Sequence, residues 1–350
     1  MIFVGDVAIA RGDVFTHRDF PGQFARLPLC VNLEGAVLGR LKVEALSEGI
    51  CNDDGWSRSF AGFRLGPVFL ANNHILDISG GIDSTVTHLA SLGLDAFGAG
   101  VNEDAAFTPA RCMSGDTEYA LIGAGWPVIG CKPAKGSQPG VCPLDGEALK
   151  AMVAEIRRDS PETRVVTALH WNYEFERYPQ PGHRQLAMDL IDEGAYAVIG
   201  HHPHVAGPVE RYRERTIVYS LGNWAFSYGK HFLGKLRFPE ASFRQIAVEL
   251  GENSDVVHYA TFVPPSEIVY EKSELIADAP FGARAPFEGA THKEYSEWFR
   301  ANRYKKRGLP VYYEYESTLS NWVRDRFVSC RQAVIDTAVV LRLKSLKRSG

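Results

Sequence analysis

No run of about 18 apolar residues occurs in the 350-residue chain, so a membrane-spanning helix is not expected. The N-terminus, MIFVGDVAIARGD, has neither a basic leading region nor a long apolar core, and it reads as a first strand and not as a signal peptide. Six cysteines, at positions 30, 51, 112, 131, 142 and 330, form no CxxC pair and follow no regular spacing. They give no support to a disulfide framework or a cysteine-built zinc site, and they suit the scattered thiols of a reduced, cytoplasmic protein. Internal repeats and low-complexity tracts are also missing. What remains is ordinary for a globular chain, with 45% hydrophobic and 23% charged residues. The length favours one large domain with an appendage, or two domains.

Charge is divided unevenly. Residues 301–350 hold eleven Lys/Arg against four Asp/Glu, while the preceding 300 hold 27 against 38, for a net charge of −4. Nothing in this balance points to nucleic acid as a partner. An acidic body with a basic tail suggests a metal-dependent core and a separate contact surface. The tail sequence TAVVLRLKSLKR (337–348) fits either a helix packed on the core with a frayed basic end or peripheral contact with an anionic membrane or polymer.

Short apolar runs rich in Val, Ile and Phe alternate with amphipathic segments. MIFVG, LPLCVNLEG, GPVFLANNH, LDAFGAG, YALIGAG, RVVTALHW, AYAVIGHH and RTIVYSLGNW end in glycine or polar clusters, as buried strands do. Helices are expected at 80–92, 145–158 and 181–193. The alternation predicts an α/β core. After residue 205 the helices thin out, and 208–220 and 243–264 read as consecutive strands, so the sheets should be mixed. A domain of residues 1–265 is expected, followed by a mainly helical, basic extension over 266–350, with helices at 290–304 and 317–345.

Chemistry-bearing residues recur where the apolar runs stop. The first run ends Gly5-Asp6, the second contains Asn32 and ends in Glu34, and the third ends Asn72-Asn73-His74 with Asp77 following. TALHW ends in His170 with Glu174 four residues on, and the next run ends in His201-His202-Pro203-His204. Ligands in α/β sheets sit beyond the carboxyl ends of strands. A mixed nitrogen and oxygen set of this kind suits Zn²⁺, Mn²⁺ or Fe²⁺. Proline disfavours the helical region for the residue before it, and side chains two apart on an extended chain point the same way. His202 and His204 are therefore expected to converge, with His201 facing away in a supporting or structural role. Arg11 is expected to return toward the pocket mouth as a fork for phosphate or carboxylate. His17, His88, His183, His231, His258 and His292 carry no assigned role.

Taken in order, GDVAIAR (5–11), NLEG (32–35), ANNHILDISG (71–80), GAGVNEDAA (98–106), LHWNYEF (169–175), GHHPHV (200–205) and YSLGNW (219–224) resemble the CapA family of poly-γ-glutamate capsule biosynthesis proteins. That family lies in the calcineurin-like metallophosphatase superfamily, and the resemblance runs from residue 2 to about 228. It implies a layered αββα sandwich and one or two divalent transition-metal ions. The implied metal ligands are Asp6, Glu34 (in the place of a bridging carboxylate), Asn73, His170, His202 and His204. It also implies that His74 serves the leaving group or the developing charge. Two departures stand out: Ala8 occupies the position of the superfamily's usual first-motif histidine, which leaves one metal site short of a ligand, and the family's HWG is HWN here, with Asn172 adding bulk.

The expected activity is metal-dependent cleavage of a phosphoester on an anionic small molecule or polymer precursor in capsule or exopolymer biosynthesis. A peptide or γ-amide hydrolase on the same fold, with His74 and Glu174 moving protons, remains open, as does a non-catalytic assembly scaffold. Glu174 is balanced between supporting the metal ligands and acid–base work. Asp77 is expected to cap the following helix or to orient His74, and Asn223 to close the sheet near substrate. The resemblance implies a tethering N-terminal segment, whereas this chain opens at its first strand, so a cytoplasmic enzyme is expected.

Overall fold

The computed structural model describes residues 1–39, 49–278, 285–304 and 308–340. Among them, two mixed sheets pack face to face. The nine-stranded sheet runs, in spatial order, Thr16–Arg18, Glu267–Leu275, Val256–Val263, Arg244–Glu249, Ile2–Ala8, Leu29–Leu33, Leu65–Phe69 and Ala96–Phe97, with Asn223–Phe226 also paired to Ile2–Ala8. The six-stranded sheet runs Val209–Tyr212, Arg215–Val218, Ala197–His201, Arg164–His170, Thr117–Gly125 and Ala110–Ser114.

Period-two alternation builds both cores. On the six-stranded sheet, Tyr119, Leu121, Val166, Ala168, Ala197 and Ile199 join the larger core with the nine-stranded sheet. Their neighbours Ala120, Ile122, Val165, Leu169 and Val198 face the other way and pack with Leu149, Val153, Leu186, Leu190, Tyr295 and Phe299. The last six come from the helices Gly146–Asp159, Pro181–Asp192 and His292–Asn302. A sheet buried on both faces needs apolar residues at every position, which is why these runs read as unbroken hydrophobic strings. The helix Gly81–Ser91 buries Ile82 and Leu89 in the larger core. The expected layered α/β sandwich is the fold that forms.

Parallel pairing decides where the strand ends meet. Ile2–Ala8, Leu29–Leu33 and Leu65–Phe69 are mutually parallel neighbours, as are Thr117–Gly125, Arg164–His170 and Ala197–His201. Register sets Asp6 beside both Asn32 and Asn223, and His170 beside His201. Gly5 permits this closeness, because a Cβ there would stand 2.0 Å from the Gly222 carbonyl oxygen, which accepts the Asp6 amide at 2.9 Å.

The C-terminal region departs from its expected outline. The sequence predicts a connection from 266 onward, yet Glu267–Leu275 is a strand hydrogen-bonded along Val256–Val263, so the boundary at 265/266 falls inside a hairpin. Much of this strand is exposed, and its alternation is too weak to announce it. Helices His292–Asn302 and Leu319–Val340 follow. No described helix is long and apolar enough to cross a membrane. The basic sequence 341–350 lies outside the described residues, so the reading of the tail as a contact surface has no structural account.

One buried ion pair ties the extension to the core. Arg184, on the helix Pro181–Asp192, meets Glu210 through two hydrogen bonds of 3.0 and 2.6 Å and also donates to the carbonyl oxygens of Ala290 and Phe287. Both side chains are nearly sealed, at 3% and 1% exposure. Removing one partner of a buried pair strands the other charge. Arg184→Met is expected to lower stability by about 3–5 kcal/mol in chemical denaturation, and adding Glu210→Gln should recover part of that loss. A single variant as stable as the parent would contradict this role.

Candidate metal centre

The carboxyl ends of both sheets converge on a buried polar cluster. Asp6 is its best-connected member. Its Oδ1 accepts from Asn32 Nδ2 at 2.8 Å and lies 3.0 Å from His201 Nδ1, while Oδ2 accepts the His202 amide at 3.2 Å and lies 3.4 Å from His204 Nδ1. Glu34 follows the strand Leu29–Leu33, and its Oε1 stands 3.7 Å from His74 Nε2 and 3.8 Å from His204 Nε2. Ligand atoms of Asp6, Glu34 and His204 all lie within 4.8 Å of one another, and all three residues are buried.

Neighbouring amides and carboxylates decide which ring nitrogen faces inward. An amide oxygen only accepts, so His204 Nδ1, 2.8 Å from Asn223 Oδ1, carries the proton and leaves the Nε2 lone pair toward Glu34. By the same reasoning, His74 Nδ1 donates to Asp77 Oδ2 at 2.6 Å and presents Nε2 to the cluster. Asp77 thus orients His74. It does not cap the following helix, whose N-cap is Gly80 without a side-chain bond. His170 Nε2 meets Asn73 Oδ1 at 2.8 Å and its Nδ1 meets Asn32 Nδ2 at 3.3 Å, so Asn73 and His170 are bonded to each other beside the three-residue group. The His202 ring lies 4.8 Å from that of His170 and 5.7 Å from that of His204, and its Nδ1 has no hydrogen-bond partner among the described residues.

The electrostatics favour a cation. Burial pushes the Asp6 pKa up, but the hydrogen bond and charge of His201, the charge of His204 and the Asn32 amide more than offset it and hold the carboxyl below its ordinary value. Burial drives His170 well down and His202 to about 3. Burial also lowers His204, against the opposing pull of Asp6 and Glu174. An ionised carboxylate and neutral imidazoles are the ligand forms of this donor set, and a buried carboxylate calls for a counter-charge. Asp6, Glu34 and His204 fit a divalent ion, with His202 adjacent.

Several expectations need correction. His202 and His204 do converge, but not as an extended pair. Their φ angles are +93° and +58°, in the left-handed region, so a tight bend and not strand alternation brings them together. His201 does not face away, since it continues the strand Ala197–His201 and bonds Asp6 directly. Arg11 lies exposed on the turn after the first strand, outside the buried cluster, and its reading as a fork at the pocket mouth stays an expectation. Glu174 is half-buried and near enough to raise the pKa values of His202 and His204. Asn172, expected to add bulk near the metal, instead holds its own loop, donating to the carbonyl oxygens of Glu176 and Tyr178 and accepting from Gln180 Nε2. Its φ is +69°, a conformation that glycine and asparagine both tolerate, which accounts for HWN in place of HWG.

Ala8, which the resemblance sets at the position of an expected histidine, packs with Ile50, Phe226, Leu236 and Phe238. Asn32 and Asn223 carry supporting roles that sequence spacing did not assign, and their position in the motifs NLEG and GNW was the available signal.

Comparison with known proteins now bears on this geometry. The sequence model described as "Bacterial capsule synthesis protein PGA_cap" matches residues 28–228, more than half of the chain. The chain belongs to this family. Asp6 precedes the matched span, while Glu34, Asn73, His74, His170, His202 and His204 fall within it. The PGA biosynthesis protein CapA of Bacillus subtilis is 36% identical over 163 residues, 45% of this chain and 42% of that protein. The capsule biosynthesis protein CapA of Bacillus anthracis is 31% identical over 173 residues, 48% of this chain and 41% of that one. The matched region thus spans less than half the length of either relative. Among solved structures, a 5'-nucleotidase precursor from Thermus thermophilus is 12% identical with a TM-score of 0.39, over 79% of this chain and 54% of that one.

The Asn223 contact is testable in this PGA_cap chain. Losing a group that orients a metal histidine weakens affinity about 10–100-fold, so Asn223→Leu should show that loss in Mn²⁺ or Zn²⁺ competition against a chromogenic chelator. Unchanged affinity would mean that His204 does not need this partner.

Proposed function

We propose that the chain is a metal-dependent hydrolase that cleaves a phosphoester on an anionic precursor in capsule or polyglutamate synthesis. The observation that carries this reading is the buried Asp6–Glu34–His204 group beside the Asp77-oriented His74. A divalent ion held there would lower the pKa of a bound water from about 15.7 to about 7.

The chain's own residues do the rest. Asp6 and Glu34 supply negative charge that attracts a cation, and the Asn32, His201 and His202 contacts fix the Asp6 carboxylate in one orientation. His204 offers Nε2 because Asn223 occupies Nδ1. His74 keeps its Nδ1 proton on Asp77, so its Nε2 faces the cluster; once that nitrogen takes up a second proton, it can pass that proton to a leaving oxygen or steady charge developing there. The rings of Phe226 and Phe238, centred 5.7 and 5.0 Å from that of His204, exclude water from one side. The apolar setting of Ala8 favours one ion over two.

Purified protein should hold close to one equivalent of a divalent transition metal and lose it in the His202→Ala/His204→Ala double variant. Metal-free parent protein would favour a non-catalytic scaffold. With Mn²⁺ supplied, a nitrophenyl phosphodiester should be hydrolysed, and His74→Ala should reduce the rate by about 10²–10⁴-fold with metal retained. Hydrolysis of a γ-glutamyl peptide instead would transfer the mechanism to an amide bond.

A further inference from the structure

Asn72 stands between the loops that carry Glu34 and His74. It follows the strand Leu65–Phe69 by three residues and is buried, at 1% exposure. Its Oδ1 accepts from the backbone amides of Gly35 at 3.1 Å and His74 at 3.2 Å. Its Nδ2 donates to the Leu33 carbonyl oxygen at 2.8 Å and to Asn32 Oδ1 at 3.4 Å. An asparagine amide has two N–H groups and one oxygen with two lone pairs, so these four bonds fill it. The partners also fix which way it points, because a flipped amide would set N–H against N–H and oxygen against oxygen.

The four partners all border the metal cluster. Leu33 and Gly35 flank Glu34, so one amide grips the chain just before and just after that carboxylate. The same oxygen holds the His74 backbone. Asn32, the fourth partner, donates to Asp6 Oδ1 at 2.8 Å. Other contacts tie Glu34 to the first strand: its amide donates to the Val7 carbonyl oxygen at 2.8 Å, and its carbonyl oxygen accepts from Asn52 Nδ2 at 2.9 Å. Asn52 Oδ1 in turn accepts from the Ile9 amide at 2.7 Å. None of these last three contacts involves residues 72–77. Asn72 carries the link from Glu34 across to His74.

That link sets a distance on which the chemistry depends. Glu34 Oε1 stands 3.7 Å from His74 Nε2, and groups of this kind work only within about 0.5 Å of the productive geometry. Each side chain can reach no farther than its backbone allows, and Asn72 fixes both backbones. We propose that Asn72 is a positioning residue of the metal centre, holding Glu34 as a ligand at one spacing from His74 and, through Asn32, in register with Asp6. This role rests on the reading of Asp6, Glu34 and His204 as a metal group. Asn72 acts through those residues and not by contact with an ion or a substrate. Without it, the buried amides of Gly35 and His74 and the Leu33 carbonyl lose a partner, and the two loops are free to drift apart.

The test is the Mn²⁺ affinity of the full chain, read by competition with a chromogenic chelator. Asn72→Ala should bind Mn²⁺ about 10–100-fold more weakly than the parent, the usual loss when a group supporting a metal ligand is removed. Two comparisons separate positioning from a general loss of stability. In a Glu34→Gln background, Asn72→Ala should cost much less affinity than in the parent, because the residue it holds is already impaired. Arg184→Met, which weakens the fold from the helix-covered face of the six-stranded sheet, should bind Mn²⁺ as the parent does. Asn72→Ser, whose hydroxyl can still accept from the His74 amide, should lose less than Asn72→Ala, and it carries the test if the alanine variant does not fold. Parent-like affinity in both Asn72 variants, an equal loss in the two backgrounds, or an equal loss in Arg184→Met would overturn this role and leave the metal centre standing. A parent chain that binds no Mn²⁺ would overturn both. The readout needs no hydrolysis, so failure of the phosphoester reading is seen separately.

Discussion

An ionised carboxylate sealed away from water governs this protein. Asp6 sits at the end of a strand buried on both faces, where an unmatched charge would be prohibitive. Four contacts from two sheets hold it: the Asn32 amide, the His201 ring, the His202 backbone and the more distant His204 ring. Those groups fix the orientation of the carboxylate, while burial lowers the pKa values of the neighbouring His170, His202 and His204 rings. Beside it, ligand atoms of Asp6, Glu34 and His204 lie within 4.8 Å of one another, a grouping of the kind that holds a metal ion.

That requirement shapes the surrounding fold. Bringing Asp6 to Asn223 takes a backbone approach so close that Gly5 has no room for a Cβ. Bringing His202 and His204 to the same point takes two left-handed residues on either side of a proline. Such conformations cost of order 1–3 kcal/mol each where a side chain is present and persist only when the structure around them fixes them. Here the His202 amide bonded to Asp6 and the His204 ring bonded to Asn223 do so. Strain at this bend and charge at Asp6 are two sides of one arrangement.

The α/β sandwich is legible in the sequence because each central strand of the six-stranded sheet is buried twice and therefore spells an unbroken apolar run, as RVVTALH does. The members of the cluster are legible because they terminate such runs. What spacing does not reveal is backbone sign. The proline between His202 and His204 argues for an extended pair, and the real bend exchanges the roles of the rings, sending His201 to Asp6. The partners Asn32 and Asn223 are hidden because an asparagine beside a glycine or a leucine looks like an ordinary turn or strand residue until its register is known. Glu267–Leu275 leaves little trace because a strand with so much solvated surface carries little hydrophobic pattern.

Whether one cation sits between the two sheets can be seen directly. Crystals of the full chain grown with Mn²⁺ and recorded at the manganese absorption edge should show a single strong anomalous peak within bonding distance, about 2.0–2.3 Å, of Asp6, Glu34 and His204. A structure with Asp6 and His204 placed as here, but with no ordered ion between them at saturating Mn²⁺, would contradict the assignment of this cluster as a metal centre.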